Sequence, residues 1–253
     1  MQRTVTPWPA LQRGGAAYTS RFLMLHLVLP VAAVTLVVGW LMGSGGDLWL
    51  ADHLFHLQGN QWLLRDAWST SVVMHKGGKW LSTAAALVVM LLCFHQWRHG
   101  RDRTLRWALL YLVLAIALGT GAVSLLKSLT HMDCPWDLAR YGGERSFIGL
   151  LQSRPASMPA AACFPAGQAS AGYAWVSLYF FALLWRPACR WAGLLTGLVA
   201  GAALGIAQQL RGAHFLSHDL STLLVCWLVA LGLFVALRAG LAHPEARQQE
   251  TRA

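Results

Sequence analysis

The chain has 253 residues, 56% of them hydrophobic and only 12% charged, with a mean hydropathy of +0.47. That composition excludes an ordinary soluble domain and points to a polytopic membrane protein, a reading supported by 13 Trp, a residue that favours membrane interfaces. A formal charge of +10 would suggest nucleic acid in a soluble chain. Here much of the excess falls in short loops, where it sets topology, so membrane lipids and no nucleic acid are the expected partners.

The predicted fold is all-α, a bundle of six membrane-spanning helices with amphipathic helices at the surface. Residues 1–21 carry Arg3, Arg13 and Arg21 and no acid, and read as a cytoplasmic tail. Residues 22–43 form the first span. The run is too long for the core of a cleavable signal peptide and has no obvious small-residue cleavage site. The GSGGD turn at 43–47 ends it. Residues 48–79 mix Asp52, His53, His56, Arg65, Asp66, His75, Lys76 and Lys79 with three tryptophans, which suits surface helices. The histidines there read as scattered interfacial side chains rather than ligands.

Residues 80–97, 107–126, 170–185, 191–210 and 217–237 are the remaining spans, the fifth rich in Gly and Ala as close helix packing requires. Residues 22–238 then make one membrane domain with outer loops at 127–169 and 211–218. Residues 239–253 form a charged, unstructured cytoplasmic tail. Six spans put both termini on one side, together with the basic segments 98–106 and 186–190. In the long loop Lys127, Arg140, Arg145 and Arg154 are opposed by Asp133, Asp137 and Glu144. The positive-inside rule therefore places the polar loops outside the cytoplasm. Cys134 and Cys163 share the outer loop in an oxidising compartment and are expected to form a disulfide, with two free thiols as the alternative.

The chemistry gathers in three stretches: Lys127 at the end of the third span, FPAGQASAGY at 164–173, and GIAQQLRGAHFLSHDLST at 205–222. Ionisable groups near membrane depth are expensive and mark function by default. A cation, a glycine turn opening a helix, and an Arg with a His can together bind a phosphate. The histidine can then take the phosphoryl group covalently.

These stretches resemble the three motifs of the type 2 phosphatidic-acid phosphatase family of integral membrane lipid phosphatases. The resemblance covers about residues 50–238. It implies that Lys127, Arg211 and the turn at Ala166 and Gly167 bind phosphate, that His214 is the nucleophile, and that no cofactor or metal is needed. It also shows departures. Cys134 stands where the family has a phosphate-binding arginine, with Arg140 or Arg145 as substitutes. Gln168 replaces the histidine that protonates the leaving group. Gln208 stands six places before His214, where an arginine is usual. His218 occupies the carboxylate's place, with Asp219, one residue on, taken as the group that orients His214.

Loss of a general acid costs about 100- to 10,000-fold. The implied function is therefore hydrolysis of a lipid phosphate monoester or lipid diphosphate through a phosphohistidine, weakened by Gln168, and least so for a diphosphate with its better leaving group. The alternatives are a phosphotransferase drawing on undecaprenyl diphosphate, a non-catalytic lipid-binding protein, and a metal site built from His214, His218, Asp219 and His131.

Overall fold

The computed structural model describes residues 20–150, 152–155 and 157–250, and it is all-helical, with no strand among the described residues. The expected tail at 1–21 lies almost wholly outside that range. Among the described residues, five helices are long and apolar enough to cross a membrane: α1 (Ser20–Gly43), α3 (Trp68–His99), α4 (Arg103–Leu129), α7 (Pro187–Leu210) and the first part of α8 (Leu216–Ala239). Between α1 and α3 lies a short helix, α2 (Gly46–Leu57).

The fourth expected span is one helical run, α5 (Gly167–Tyr173) and α6 (Ser177–Trp185), tightened to a 3-10 turn at Ala174–Val176 where the backbone stays helical. Its first half, GQASAGY, is small and polar. Ser170 and Ser177 turn their hydroxyls back onto the carbonyls of Gly167 (2.6 Å) and Ala174 (2.7 Å), a bond that bends helices.

Two further expectations need correction. Residues 68–79 do not form a separate surface helix but run straight into the second span. The Gly77–Gly78 pair does not break it, since both carry helical φ angles of −63° and −59°. A Cβ on Gly78 would meet only the end of the Leu204 side chain, which would have to turn to make room. At the other end the helix begun by α8 continues to Glu250, through the stretch expected to be unstructured. Its Ala, Arg, Gln and Glu residues are good helix formers.

α4 packs along α8, and α5 along α7. The core between them holds Tyr111, Val123, Val176, Phe180 and Phe234. By contrast α1 and α3 display Leu36, Trp40, Leu81, Leu91 and Phe94 outward, as helices facing lipid do. The glycines of α7 let α5 approach closely: a Cβ on Gly201 would run into the Tyr173 ring, and one on Gly197 into the backbone of Trp175 and Val176. The same contact from the other side sets a prediction. A Cβ on Gly172 would meet the backbone of Ala200 and Gly201, which cannot swing away as a side chain would. Gly172→Ala is expected to destabilise by about 3 kcal/mol through overpacking. Gly232→Ala, with nothing within 4 Å, should leave the thermal unfolding midpoint in detergent unchanged or raise it.

Because α3 and α4 are joined by a short connection at 100–102, the end of α4 returns to the level where α3 begins. Lys127 is thereby brought beside His75 and Lys79, opposite the basic 98–106 connection.

Candidate active site

The turn from Phe164 to Gly167 is tied to α8. The Ala166 N–H donates to the His218 carbonyl at 3.3 Å. The Thr222 hydroxyl lies 3.1 Å from the Ala166 carbonyl and 2.9 Å from that of His218. The Thr130 hydroxyl donates to the Phe164 carbonyl, linking the turn to the end of α4. Lys127 reaches the same place, since a Cβ built on Gly167 would lie 3.5 Å from Lys127 Nζ. An ammonium and a glycine at the start of a helix therefore meet, as an anion site requires.

His214 precedes α8, and His218 stands in its first turn. Their Nδ1 atoms lie 3.5 Å apart. The rings of Phe164 and Phe215 stand edge-on to His218, with centroids 5.3 Å away. The main chain of Cys163 faces both histidines. Burial, followed by the neighbouring His218 and Lys127, holds the His214 pKa well below its ordinary 6.5. His214 is thus a neutral imidazole with a lone pair to offer.

The loop that carries Arg211 and His214 is held from several sides. Gly212 adopts φ +71°, and a Cβ there would run into Trp62. The Trp136 N–H donates to the Gly212 carbonyl at 2.9 Å. Gln58 Nε2 donates to the Leu210 carbonyl at 3.0 Å. Arg211 Nε donates to the Arg65 carbonyl at 2.6 Å, and Nη1 to Gln208 Oε1 at 3.1 Å. Arg65 and Arg211 also stand 4.5 and 5.8 Å from the Trp136 ring centre.

Asp219 does not face His214. Gln209 Nε2 donates to its Oδ2 at 2.5 Å, and its Oδ1 has no partner among the described residues. A Cβ on Gly205 would come within 2.6 Å of the same carboxylate, so Asp219 is turned toward α7. The side chain beside His214 is His218, at the position where the carboxylate was expected. Arg140 and Arg145 are committed elsewhere. Arg140 forms two 2.6 Å bonds to Asp52, and Arg145 one of 2.6 Å to the buried Asp133, which Arg154 also holds. Gln168 faces α3, its amide donating to the His75 carbonyl at 2.7 Å. Among the described residues no three His, Cys, Asp or Glu side chains converge as a metal would need, so His214, His218, Asp219 and His131 are not gathered into one set.

Cys134 and Cys163 form a disulfide, 29 positions apart with Cα atoms 5.3 Å apart. It ties the 134–163 loop to the strip of main chain that faces the histidines. Removing it frees a loop whose closure entropy is about 3.6 kcal/mol. Cys134→Ser with Cys163→Ser is expected to lower the unfolding midpoint and to cut activity by loosening Cys163.

An open cavity of about 630 Å³ lies between α3, α4 and α5. His75, Lys79, Lys127, Gly167 and Gln168 line its polar end, while Leu87, Met90, Val113 and Ile116 line the rest. Sequence reasoning missed several participants. Asp47, buried, accepts from both the N–H and the hydroxyl of Ser217. His75 and Lys79 form part of the cavity wall, and Arg65 stands over Trp136. The i, i+4 spacing of His75 and Lys79 was the available signal, since it places both on one helix face.

A family model described as the PAP2 superfamily matches residues 108–240. No curated protein and no solved structure matches the chain.

Proposed function

The chain belongs to the PAP2 superfamily, and on that premise we propose that it is a metal-independent phosphatase of lipid phosphate monoesters or diphosphates. His214 attacks phosphorus, the lipid alcohol or lipid phosphate leaves, and water clears the phosphohistidine. Lys127, Arg211 and the amides around Gly167 stabilise the charge on the transferred group. His218, rather than Asp219, is the neighbour that orients the nucleophile. The observation that carries this reading is the cavity, cationic where it meets Lys127 and Gly167 and apolar along α3 and α4. A phosphate headgroup suits the first part and a hydrocarbon chain the second.

On this reading the helical run α5–α6 is the sixth crossing. With both termini and the basic 98–106 and 186–190 segments cytoplasmic, the site faces the periplasm of a bacterial inner membrane.

The test is phosphate release from lipid mono- and diphosphates by the purified chain in proteoliposomes. Release by the chain, lost in His214→Gln and lowered about 100- to 1,000-fold in Lys127→Met, is the expected result. No release from any lipid phosphate would overturn the assignment. A newly phosphorylated lipid in place of free phosphate would make the protein a phosphotransferase.

A further inference from the structure

We infer that the face opposite the candidate active site carries a seat for the headgroup of an anionic phospholipid. It is built on Trp185, where the connection between α3 and α4 meets the junction of α6 and α7. None of its residues is assigned to phosphate chemistry above, so it stands whether or not the phosphatase reading does.

The two stretches are distant in sequence and are joined by one bond. The Trp185 N–H donates to Asp102 Oδ2 at 3.3 Å. Asp102 also caps α4, its Oδ1 accepting from the Leu105 N–H at 3.0 Å. Arg101 and Arg103 flank that carboxylate in the chain, and the Arg186 guanidinium lies 4.5 Å from the Trp185 ring centre. All three arginines are exposed. Asp102 is the only acid in segments 98–106 and 186–190. The loop arginines near the candidate active site are placed differently. Arg140, Arg145 and Arg154 each hold a carboxylate, that of Asp52 or Asp133. Among the described residues Arg101, Arg103 and Arg186 form no ion pair.

A cluster of cations with too few counter-charges attracts an anion, and its surroundings say which. The cluster sits at the ends of membrane-spanning helices, and an indole there lies at headgroup depth, the level of the lipid phosphates. A ring beneath a guanidinium covers its flat face and leaves open the N–H edge, the edge that binds phosphate. The arrangement recurs alongside. Arg98 stands 5.6 Å from the centre of Phe94 and Arg190 5.4 Å from that of Trp191, and both rings are exposed. The phosphodiester of an anionic lipid fits beside Trp185 with its chains along the outward apolar faces of the helices. A zwitterionic lipid has the same phosphate, but its ammonium would stand among arginines. The bound lipid would bridge the two connections and so hold the four helices α3, α4, α6 and α7 together.

A lipid that binds only the folded chain raises its thermal unfolding midpoint. The purified full chain in neutral detergent would be titrated with dioleoyl phosphatidylglycerol, dioleoyl phosphatidylcholine or water-soluble glycerol 3-phosphate while that midpoint is followed. Phosphatidylglycerol should raise it at a concentration about tenfold or more below that needed of phosphatidylcholine, and glycerol 3-phosphate should leave it unmoved. Each arginine near the membrane surface is worth about fivefold in affinity for an anionic lipid. In Arg103→Gln the half-saturating phosphatidylglycerol concentration should therefore rise about fivefold, and in Arg101→Gln with Arg186→Gln about 20- to 30-fold. The response to phosphatidylcholine should be the same in all three proteins. The single change at an exposed position serves as the test even where the paired change fails to fold. Equal responses to the two lipids, or no response to either, would overturn the proposal. A preference for phosphatidylglycerol that is unchanged in Arg103→Gln and in the paired variant would place the lipid elsewhere and overturn it as well. Glycerol 3-phosphate acting as well as phosphatidylglycerol would make the patch a site for soluble phosphate and overturn the lipid assignment.

Discussion

If His214 carries the covalent intermediate as proposed, replacing it with glutamine is expected to abolish phosphate release from every lipid phosphate, by about 10,000-fold or more. The fold should survive, since glutamine keeps polar atoms near Cys163 and His218. The pH behaviour follows from the same burial. Burial first, then His218 and Lys127, keeps His214 neutral well below pH 6.5. Nucleophilic attack should therefore show no loss of rate centred near 6.5 as the pH is lowered. Stability behaves differently. The unfolded chain binds a proton at this histidine near pH 6.5, whereas the folded chain does not until the pH is much lower. The folded state thus loses stability as pH falls below about 6.5. Thermal unfolding in detergent between pH 7 and 5 should show a falling midpoint, and the fall should be shallower in His214→Gln. An equal fall in both proteins would assign it to other groups.

Asp47→Ala is expected to be the most damaging change outside the three motif stretches. The carboxylate lies at the start of α2 and accepts from the N–H and hydroxyl of Ser217, at the start of α8. Ser217 is fully buried and Asp47 is 5% exposed, so water cannot take over either bond. Burial pushes the Asp47 pKa up while the Ser217 bonds oppose it, so the carboxylate is held by those bonds in a place where charge is costly. Its removal leaves two buried donors unmatched, a cost of about 2–5 kcal/mol. It also frees the first turn of α8, which carries His218 and adjoins His214. Asp47→Ala should therefore lower the unfolding midpoint and activity together. Asp47→Asn, which keeps one acceptor oxygen, should recover much of both. An Asp47→Ala protein as stable and active as the unaltered chain would contradict this account of how α8 is anchored.

The membrane character was legible because hydropathy over a long window depends on composition, not on contacts. The Cys134–Cys163 disulfide was legible because two cysteines fell in one polar loop. Other features were hidden for physical reasons. The fourth crossing reads as a plain apolar run from Ser170, but the helix begins at Gly167 with a small, polar half whose serine bonds back to its own carbonyl, and it tightens at Ala174–Val176. The partner of His214 could not be read from spacing. Asp219 looked like the orienting carboxylate, yet one residue along a helix is a turn of about 100°. That rotation aims Asp219 at Gln209 and Gly205, and leaves His218 beside His214. Arg140 looked available because its carboxylate partner, Asp52, lies 88 positions away, and Arg145 because the loop offers it several acids and spacing does not say that Asp133 takes it. Asp47 was missed because its role arises from contact with Ser217, 170 positions away.

The most direct test of the central claim is to trap the intermediate. The purified chain in nanodiscs would be mixed with lipid phosphate carrying a radioactive phosphorus atom, quenched in alkali within the first turnover, and assayed for label on the protein. The account predicts acid-labile, alkali-stable label that maps to the peptide containing His214 and is absent from His214→Gln. Phosphate release proceeding with no label on the protein, or label that persists in His214→Gln, would contradict it.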